Sequence, residues 1–154
     1  MGQIRNVVLV GSMIAATAVV SAMAWSKQDT KEIVGLRPEE VKWFTPPYYN
    51  EGRQRAQLFG DSTQGGTWID RVKIRSGERV RAHTHPQDEL VTVIEGTWYV
   101  GEGERFDAAK LKGYAAGSFI VIPAGVPHFV AAKDSSAIVQ LSGSGKFATE
   151  YVEK

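Results

Sequence analysis

Residues 77–96 read GERVRAHTHPQDELVTVIEG, and this stretch decides both the fold and the candidate site. His83 and His85 are two residues apart, which places both imidazoles on one face of a β-strand because side chains alternate along a strand. Glu89 follows with the same parity, so a slight bend would bring its carboxylate to the same point. The spacing predicts a strand that carries two histidines and a carboxylate into one space.

The third and last histidine of the chain, His128, ends a second stretch punctuated by glycine and proline, residues 117–128, GSFIVIPAGVPH. Imidazole together with carboxylate suits Fe, Mn, Ni, Co or Zn, whereas Ca and Mg prefer oxygen ligands alone. We therefore predict that His83, His85, Glu89 and His128 bind one divalent transition metal ion. Fe or Mn is favoured, and Ni, Co or Zn is the alternative. The alternative is that no metal binds and the histidines are only hydrogen-bonded.

In these two stretches the sequence resembles the cupin superfamily. The matching positions of the first cupin motif are Gly77, His83, His85, Glu89 and Gly96, and those of the second are Gly117, Pro123, Gly125 and His128. The chain departs from the second motif at Ala132, where the family usually has Asn. The resemblance implies a single cupin double-stranded β-helix, a jelly-roll-like barrel, whose metal is held by the three histidines and the glutamate.

The remaining pattern indicates an all-β fold without reference to the family. Short apolar segments alternate with Gly and Pro turns, and helical periodicity is almost absent, which is typical of a sandwich or barrel. Residues 68–74 alternate, with Trp68 and Asp70 on the face shared by Val72 and Ile74. Residues 90–94 are apolar and rich in β-branched side chains and are predicted to be buried on both faces. Residues 119–122 are predicted to form a second buried strand.

The chain divides into three parts by composition. Residues 1–24 are predicted to be a secretory signal peptide that ends in Ala22-Met23-Ala24, with an uncleaved N-terminal anchor as the alternative. The protein is therefore expected to be exported, to the periplasm or the medium, and the family resemblance implies a bacterial source. Residues 25–55 form an N-terminal extension, and residues 56–154 form the cupin domain.

Within the extension, residues 41–49 (VKWFTPPYY) form an aromatic and proline-rich segment, called the strap below. Two prolines exclude a helix here. The strap aromatics are expected to pack over one end or face of the sheet, with a ligand-stacking platform as the alternative. The family resemblance implies a homodimer, and the strap is the segment we nominate for the contact.

Charge and cysteine content exclude several classes of function. The chain has 18 Lys and Arg against 17 Asp and Glu, so its charge gives no reason to expect nucleic acid as a partner or binding to anionic membranes. Membrane contact is expected only through an uncleaved N-terminal segment. The absence of cysteine excludes a thiolate nucleophile or ligand.

Four further side chains are predicted to line the pocket: Trp68, Tyr99, Phe119 and Gln140. Trp98 and Tyr99 lie on opposite faces of one strand, so one of them is expected to face the cavity, and Tyr99 would then be the acid or base. Gln140 is a polar residue in an apolar strand that could orient a histidine, with a solvated sheet face as the alternative.

Three functions follow from the predicted site. The favoured one is a metal-dependent enzyme acting on a small organic molecule, either a dioxygenase with Fe or Mn or a Lewis-acid lyase or isomerase. The second is a non-catalytic, metal-bearing module that binds or senses a small molecule. The third is a domain whose metal only stabilises the fold, which a mixed histidine and carboxylate shell disfavours.

Overall fold

The computed structural model describes residues 33–49 and 52–153. In these residues the chain forms antiparallel β-structure with two short 3₁₀ turns, Pro38–Glu40 and Ala108–Lys110. The strands are β1 (Arg53–Phe59), β2 (Thr67–Ile74), β3 (Arg79–Thr84), β4 (Glu89–Glu95), β5 (Thr97–Glu102), β6 (Lys112–Ala115), β7 (Phe119–Ile122), β8 (His128–Ala131), β9 (Ala137–Ser144) and β10 (Glu150–Tyr151). The predicted all-β fold is confirmed.

The strands form two five-stranded sheets that face each other as the halves of a flattened barrel. One sheet has the order β1-β2-β9-β4-β7 and the other β10-β3-β8-β5-β6. Alternation along each strand turns every second side chain inward. The core consists mainly of β-branched and aromatic side chains, among them Trp68, Val72, Val91, Val93, Val130 and Val139. This two-sheet arrangement fits the predicted jelly-roll-like barrel.

The two segments predicted to be wholly buried are buried on one face only. In β4, Val91 and Val93 are buried, whereas Ile94 is 42% exposed. In β7, Ile122 is buried, whereas Phe119 is 61% exposed. The prediction of burial on both faces was wrong because each strand belongs to an antiparallel sheet with a single inner face. Apolar residues also occupy the outer face, so composition alone did not reveal the alternation.

The strap lies along the free edge of β1. Phe44 exchanges two main-chain hydrogen bonds with Arg55, at 2.9 and 2.8 Å, and Val41 is buried. Residues 41–45 of the strap are thus extended, as its prolines predicted, and Phe44 pairs with its own chain. Residues 46–49 form a turn in which the Tyr49 N–H donates to the Pro46 carbonyl oxygen at 2.9 Å. The predicted signal peptide at residues 1–24 lies outside the described residues, so the division at residues 24 and 55 stays a prediction. In the described part of the chain, no helix is long and apolar enough to span a bilayer.

Candidate metal centre

A register shift in β3 turns His83 into the barrel. Val80 and His83 are three residues apart, so strict alternation would place them on opposite faces of the strand. The pairing of β3 with β8 shifts between these two residues, and both side chains line the same internal cavity. Irregularities of this kind redirect side chains beside functional sites. The local break in the strand therefore positions the first ligand candidate.

Neighbouring elements bring the other candidates to His83. His85 follows the end of β3, Glu89 begins β4, and His128 begins β8 directly opposite His83. The ligand atoms of the three histidines all lie within 4.8 Å of one another. The Glu89 carboxylate oxygens lie 3.6 Å from His85 Nε2 and 3.8 Å from His128 Nε2. Four buried side chains from two facing sheets thus converge on one point.

Main-chain carbonyl oxygens fix the tautomer of each histidine. The Nδ1 atoms of His83, His85 and His128 bond to the carbonyl oxygens of Arg81, Ala148 and Val126, at 2.7, 2.7 and 3.1 Å. A carbonyl oxygen only accepts hydrogen bonds, so each Nδ1 must carry the proton and donate it. Each Nε2 then presents a lone pair, which is the arrangement that metal-binding histidines require.

The unpaired atoms of the site match a bound cation. Nε2 of His85 and Nε2 of His128 are buried and have no hydrogen-bond partner among the described residues. Buried polar atoms without a partner are rare and call for an explanation. Two donor atoms bound to one ion at about 2.1 Å lie roughly 3 Å apart at right angles and roughly 4 Å apart when opposite. The two distances from Glu89 to the histidines fall in this range, so this donor set fits a transition metal ion.

Burial shifts the pKa values in the direction that favours metal binding by the histidines. It lowers the pKa of His83 to about 3, with help from the nearby His128, and that of His85 to about 4. The pKa of His128 is lowered by burial as well. Burial raises the pKa of Glu89 to about 7, against the opposing effect of Arg55. At neutral pH the imidazoles are therefore neutral and already able to bind a cation.

The four side chains lie in the wall of a cavity of about 540 Å³, a size that suits a small organic ligand. Phe44, Tyr48 and Tyr49 of the strap also line this cavity. Tyr48 is 64% exposed, whereas burial raises the pKa of Tyr49. The strap thus contributes to the cavity wall in addition to pairing with β1, and the ligand-stacking platform stays a prediction.

The cavity wall differs from the predicted one. Trp68, Tyr99, Phe119 and Gln140 do not line the cavity. Trp98, not Tyr99, lines it, because Trp98 has the inward parity on β5.

Each of the four residues lies elsewhere for a physical reason. Tyr99 lies on the outer side of β5, where its ring is 4.3 Å from the Lys133 ammonium. Gln140 accepts a hydrogen bond from Arg71 on the outer face of the β2–β9 pair. Phe119 is on the exposed face of β7. Trp68 does face inward, but it is fully buried in the core behind Phe147.

Several cavity residues were not predicted, and a few had a signal in the sequence. Arg53 and Arg55 alternate along β1 and both line the cavity. Asp70 lies on the same face of β2 as core residues. Because a lone buried carboxylate is costly, the sequence could have indicated a buried cationic partner for it. Phe147 and Tyr151 come from the C-terminal segment, and nothing in their local sequence indicates where that segment returns.

Comparison with known proteins supports the fold. The model of the family described as Cupin domain matches residues 70–142. A search of curated proteins found no match. Among solved structures, the polyketide cyclase RemF from Streptomyces resistomycificus is similar, with 14% identity, a TM-score of 0.66 and coverage of 80% of this chain and 87% of that one.

Two further solved structures are similar at a comparable level. A sugar phosphate isomerase of the cupin superfamily from Silicibacter pomeroyi has 20% identity, a TM-score of 0.56 and coverage of 72% of this chain and 75% of that one. A chain in the Rhodobacter sphaeroides complex of SigE with the anti-sigma ChrR has 22% identity, a TM-score of 0.53 and coverage of 70% and 51%. Likeness at these identities shows a shared fold, and the named proteins differ widely in function.

Proposed function

Because this chain contains a small cupin-superfamily domain, we propose that it is a metal-dependent enzyme acting on a small organic molecule. The observation that carries the proposal is the position of the histidine and glutamate cluster in the wall of a cavity of ligand size. A centre that only stabilised the fold would gain nothing from adjoining such a cavity. Structural zinc sites are also usually closed and rich in cysteine.

In this proposal His83, His85, His128 and Glu89 hold one divalent ion. Fe or Mn would favour a reaction of the dioxygenase type, and Ni, Co or Zn would favour a lyase or isomerase. When bound, the ion would supply Lewis acidity or, if it is Fe or Mn, redox chemistry. The main-chain carbonyl groups keep the three imidazoles in the tautomer that can bind it.

The chain also offers a hydrogen-bond donor in place of Tyr99. Tyr49 lines the cavity, and burial holds its pKa above the ordinary value. Its hydroxyl group therefore stays protonated at neutral pH and can donate a hydrogen bond to a substrate oxygen. The strap would position this group and at the same time restrict access of water to the site.

Elemental analysis of the purified full chain tests the proposal. We expect a stoichiometric transition metal in the wild type and in the control Glu95→Gln, a change at an exposed residue of β4, and loss of the metal in His128→Ala. Metal that is absent even after reloading would overturn the proposed centre. The identified metal then selects the assay, which is oxygen uptake with small organic acids and phenols for Fe or Mn, and product analysis under nitrogen otherwise.

The same assay separates the two leading functions. An enzyme should show turnover that chelation abolishes and reloading restores, and Tyr49→Phe should lower kcat while the metal content is unchanged. Saturable binding without turnover would instead indicate a metal-bearing binding or sensor module. Melting of the fold on chelation, without any ligand binding, would indicate a structural metal.

Export and dimerisation remain proposals as well. Cleavage after Ala24 should give a mature protein that begins at Trp25, which N-terminal sequencing of the secreted or periplasmic fraction would detect. A homodimer should be visible by light scattering at micromolar concentration, and a monomer there would contradict it.

A further inference from the structure

Two guanidinium groups lie in the wall of the same cavity as the histidine cluster. Arg53 and Arg55 are two residues apart on β1, so both side chains turn inward, and their residues are only 9% and 6% exposed. Transfer of an arginine from water into a protein interior is costly unless it is paired and hydrogen-bonded. These two residues thus place two cationic groups on one wall of the cavity.

Arg55 has a defined partner that accounts for part of this cost. Its Nε donates to Asp70 Oδ2 at 2.9 Å, its Nη2 donates to the same oxygen, and Nη2 also donates to Ser62 Oγ at 3.1 Å. Both hydrogen bonds to the Asp70 carboxylate therefore go to the same oxygen, Oδ2. Asp70 Oδ1 is buried and has no partner among the described residues. This ion pair thus leaves one buried acceptor open at the cavity.

Arg53 is held between the strap and the C-terminal segment. Its guanidinium carbon lies 4.3 Å from the centre of the Tyr49 ring, and its Nη2 donates to the Tyr151 hydroxyl oxygen at 3.4 Å. These contacts fix the plane of the guanidinium group. A guanidinium has five N–H donors in a planar fork, so a protein partner and a ligand carboxylate can share it.

A further donor in the cavity wall is unpaired. Trp98 is 5% exposed, lines the cavity, and its indole Nε1 has no acceptor among the described residues. Together with Asp70 Oδ1, the wall therefore offers one open N–H donor and one open acceptor. A ligand hydroxyl would satisfy both, because it can accept from the indole N–H and donate to the carboxylate oxygen. A ligand carbonyl oxygen would satisfy the indole alone, and a purely apolar ligand would satisfy neither.

The rest of the wall favours a flat ligand. Tyr48 and Tyr49 from the strap and Phe147 and Tyr151 from the C-terminal segment line the cavity. Aromatic faces stack on planar, conjugated groups. With a divalent ion on one carboxylate and three neutral imidazoles, the centre would also retain a net positive charge, which attracts an anion.

We infer that the substrate is a small planar carboxylic acid that carries a further hydroxyl or carbonyl oxygen. Its carboxylate binds the guanidinium groups of Arg53 and Arg55, and its second oxygen reaches the other polar groups of the wall. The inference names the substrate class of the site described under the proposed function. It rests on that proposal for the reaction that follows binding, and not for binding itself.

Binding of 3-hydroxybenzoate and of its neutral analogue 3-hydroxybenzamide, followed by calorimetry, tests the inference. The full chain is used both metal-free and metal-loaded. We expect the acid to bind about ten-fold or more tightly than the amide in both forms, as a charge-assisted hydrogen-bond pair implies. Equal affinity for acid and amide would overturn the inference, as would a preference that exists only with metal, because the ion and not the arginines would then hold the carboxylate.

Substitution at Arg53 locates the anion site. Arg53→Met should reduce the preference for the acid, because it weakens binding of the acid more than binding of the amide, and Arg53→Lys should keep more of the preference. Arg71→Met, on the outer face of the neighbouring strand, is the matched control and should behave like the wild type. A preference in Arg53→Met that equals that of the wild type would overturn the assignment. The comparison of acid with amide in the wild type decides the matter even if Arg53→Met does not fold.

Failure of this inference and failure of the proposed function are distinguishable in the same samples. Metal content and turnover report on the histidine centre, whereas the acid preference of the metal-free chain reports on the arginines. A chain that binds metal and turns over a neutral substrate would overturn the inference alone.

Discussion

Replacement of Glu89 by Gln should change the stability of the metal-free protein in a pH-dependent way. Burial raises the pKa of Glu89 from 4.5 to about 7, so the folded state holds this proton more tightly than the unfolded state. The stability that this group contributes is present below pH 4.5 and is lost as pH rises through 7. The shift from 4.5 to about 7 corresponds to an upper limit of about 3 kcal/mol.

Glutamine keeps the shape of the neutral acid and cannot ionise. Its amide N–H groups would also lie near His85 Nε2 and His128 Nε2, which are unpaired acceptors. Metal-free Glu89→Gln should therefore lie within about 1 kcal/mol of the wild type near pH 5 and exceed it by up to about 3 kcal/mol at pH 8. The histidines do not blur this difference. The lowered pKa values of His83 and His85 give stability that is present above pH 6.5 and is lost towards pH 3 to 4 in both proteins. The lowered pKa of His128 acts in the same direction.

Chemical denaturation in the presence of a chelator, at intervals from pH 5 to pH 8, measures the effect, with Glu95→Gln as the exposed control. After metal loading the wild type should be more stable than Glu89→Gln at pH 8. The carboxylate, whose ionised form destabilises the metal-free fold, then binds the metal, whereas an amide is a poor metal ligand. A stability difference that does not change with pH would refute the argument from burial. A variant that stays the more stable protein after loading would refute the role of Glu89 as a ligand.

Two further substitutions test the surroundings of the site. Phe147→Ala removes the ring that stacks on His85 at a centroid distance of 4.4 Å and contacts Trp68 at 5.0 Å. It should cost about 1–3 kcal/mol of stability and weaken metal binding by roughly ten-fold, with Phe147→Leu much closer to the wild type in denaturation and metal titration. Arg55→Met leaves Asp70 buried and unpaired and should cost about 3–5 kcal/mol, whereas Arg55→Met with Asp70→Leu should recover most of the loss. Additive costs in that double-mutant cycle would contradict the ion pair.

The convergence of the four candidate ligands could be predicted from sequence because the spacing of these residues encodes geometry directly. His83 and His85 share parity along one strand, and Glu89 follows across a short turn. The inward turn of His83 itself depends on the register shift after Val80, which the sequence does not reveal. A bulge is a property of the pairing between two strands, so it cannot be read from one strand alone. Simple alternation would place Val80 and His83 on opposite faces of β3, whereas both face the cavity.

The lining of the cavity was harder to predict because one strand can be read with either parity. Trp98 and Tyr99 are both large and amphipathic, so composition does not say which faces inward. Apolar residues on an outer face, such as Phe119, likewise resemble core residues when only the strand itself is considered. The inner position of Asp70 shows the opposite case. The alternation of Asp70 with core residues is visible in the sequence. The step that was missing is that a buried carboxylate needs a cationic side chain beside it, which is Arg55.

The architecture separates the metal centre from the part of the site that would choose a substrate. The ligand candidates belong to β3, β4 and β8, which are paired on both sides within their sheets and are held by many long-range contacts. Most of the other cavity groups described above come from the strap, from β1 and from residues 147–151, at the two ends of the described chain. The two parts meet at His85, whose Nδ1 donates to Ala148 and whose ring stacks on Phe147. Tyr151 is also paired with His83, and their ring centres lie 5.8 Å apart. Changes in the terminal segments could therefore alter the ligand that fits while the candidate metal shell persists, except near Phe147 and Tyr151, where a change should affect both.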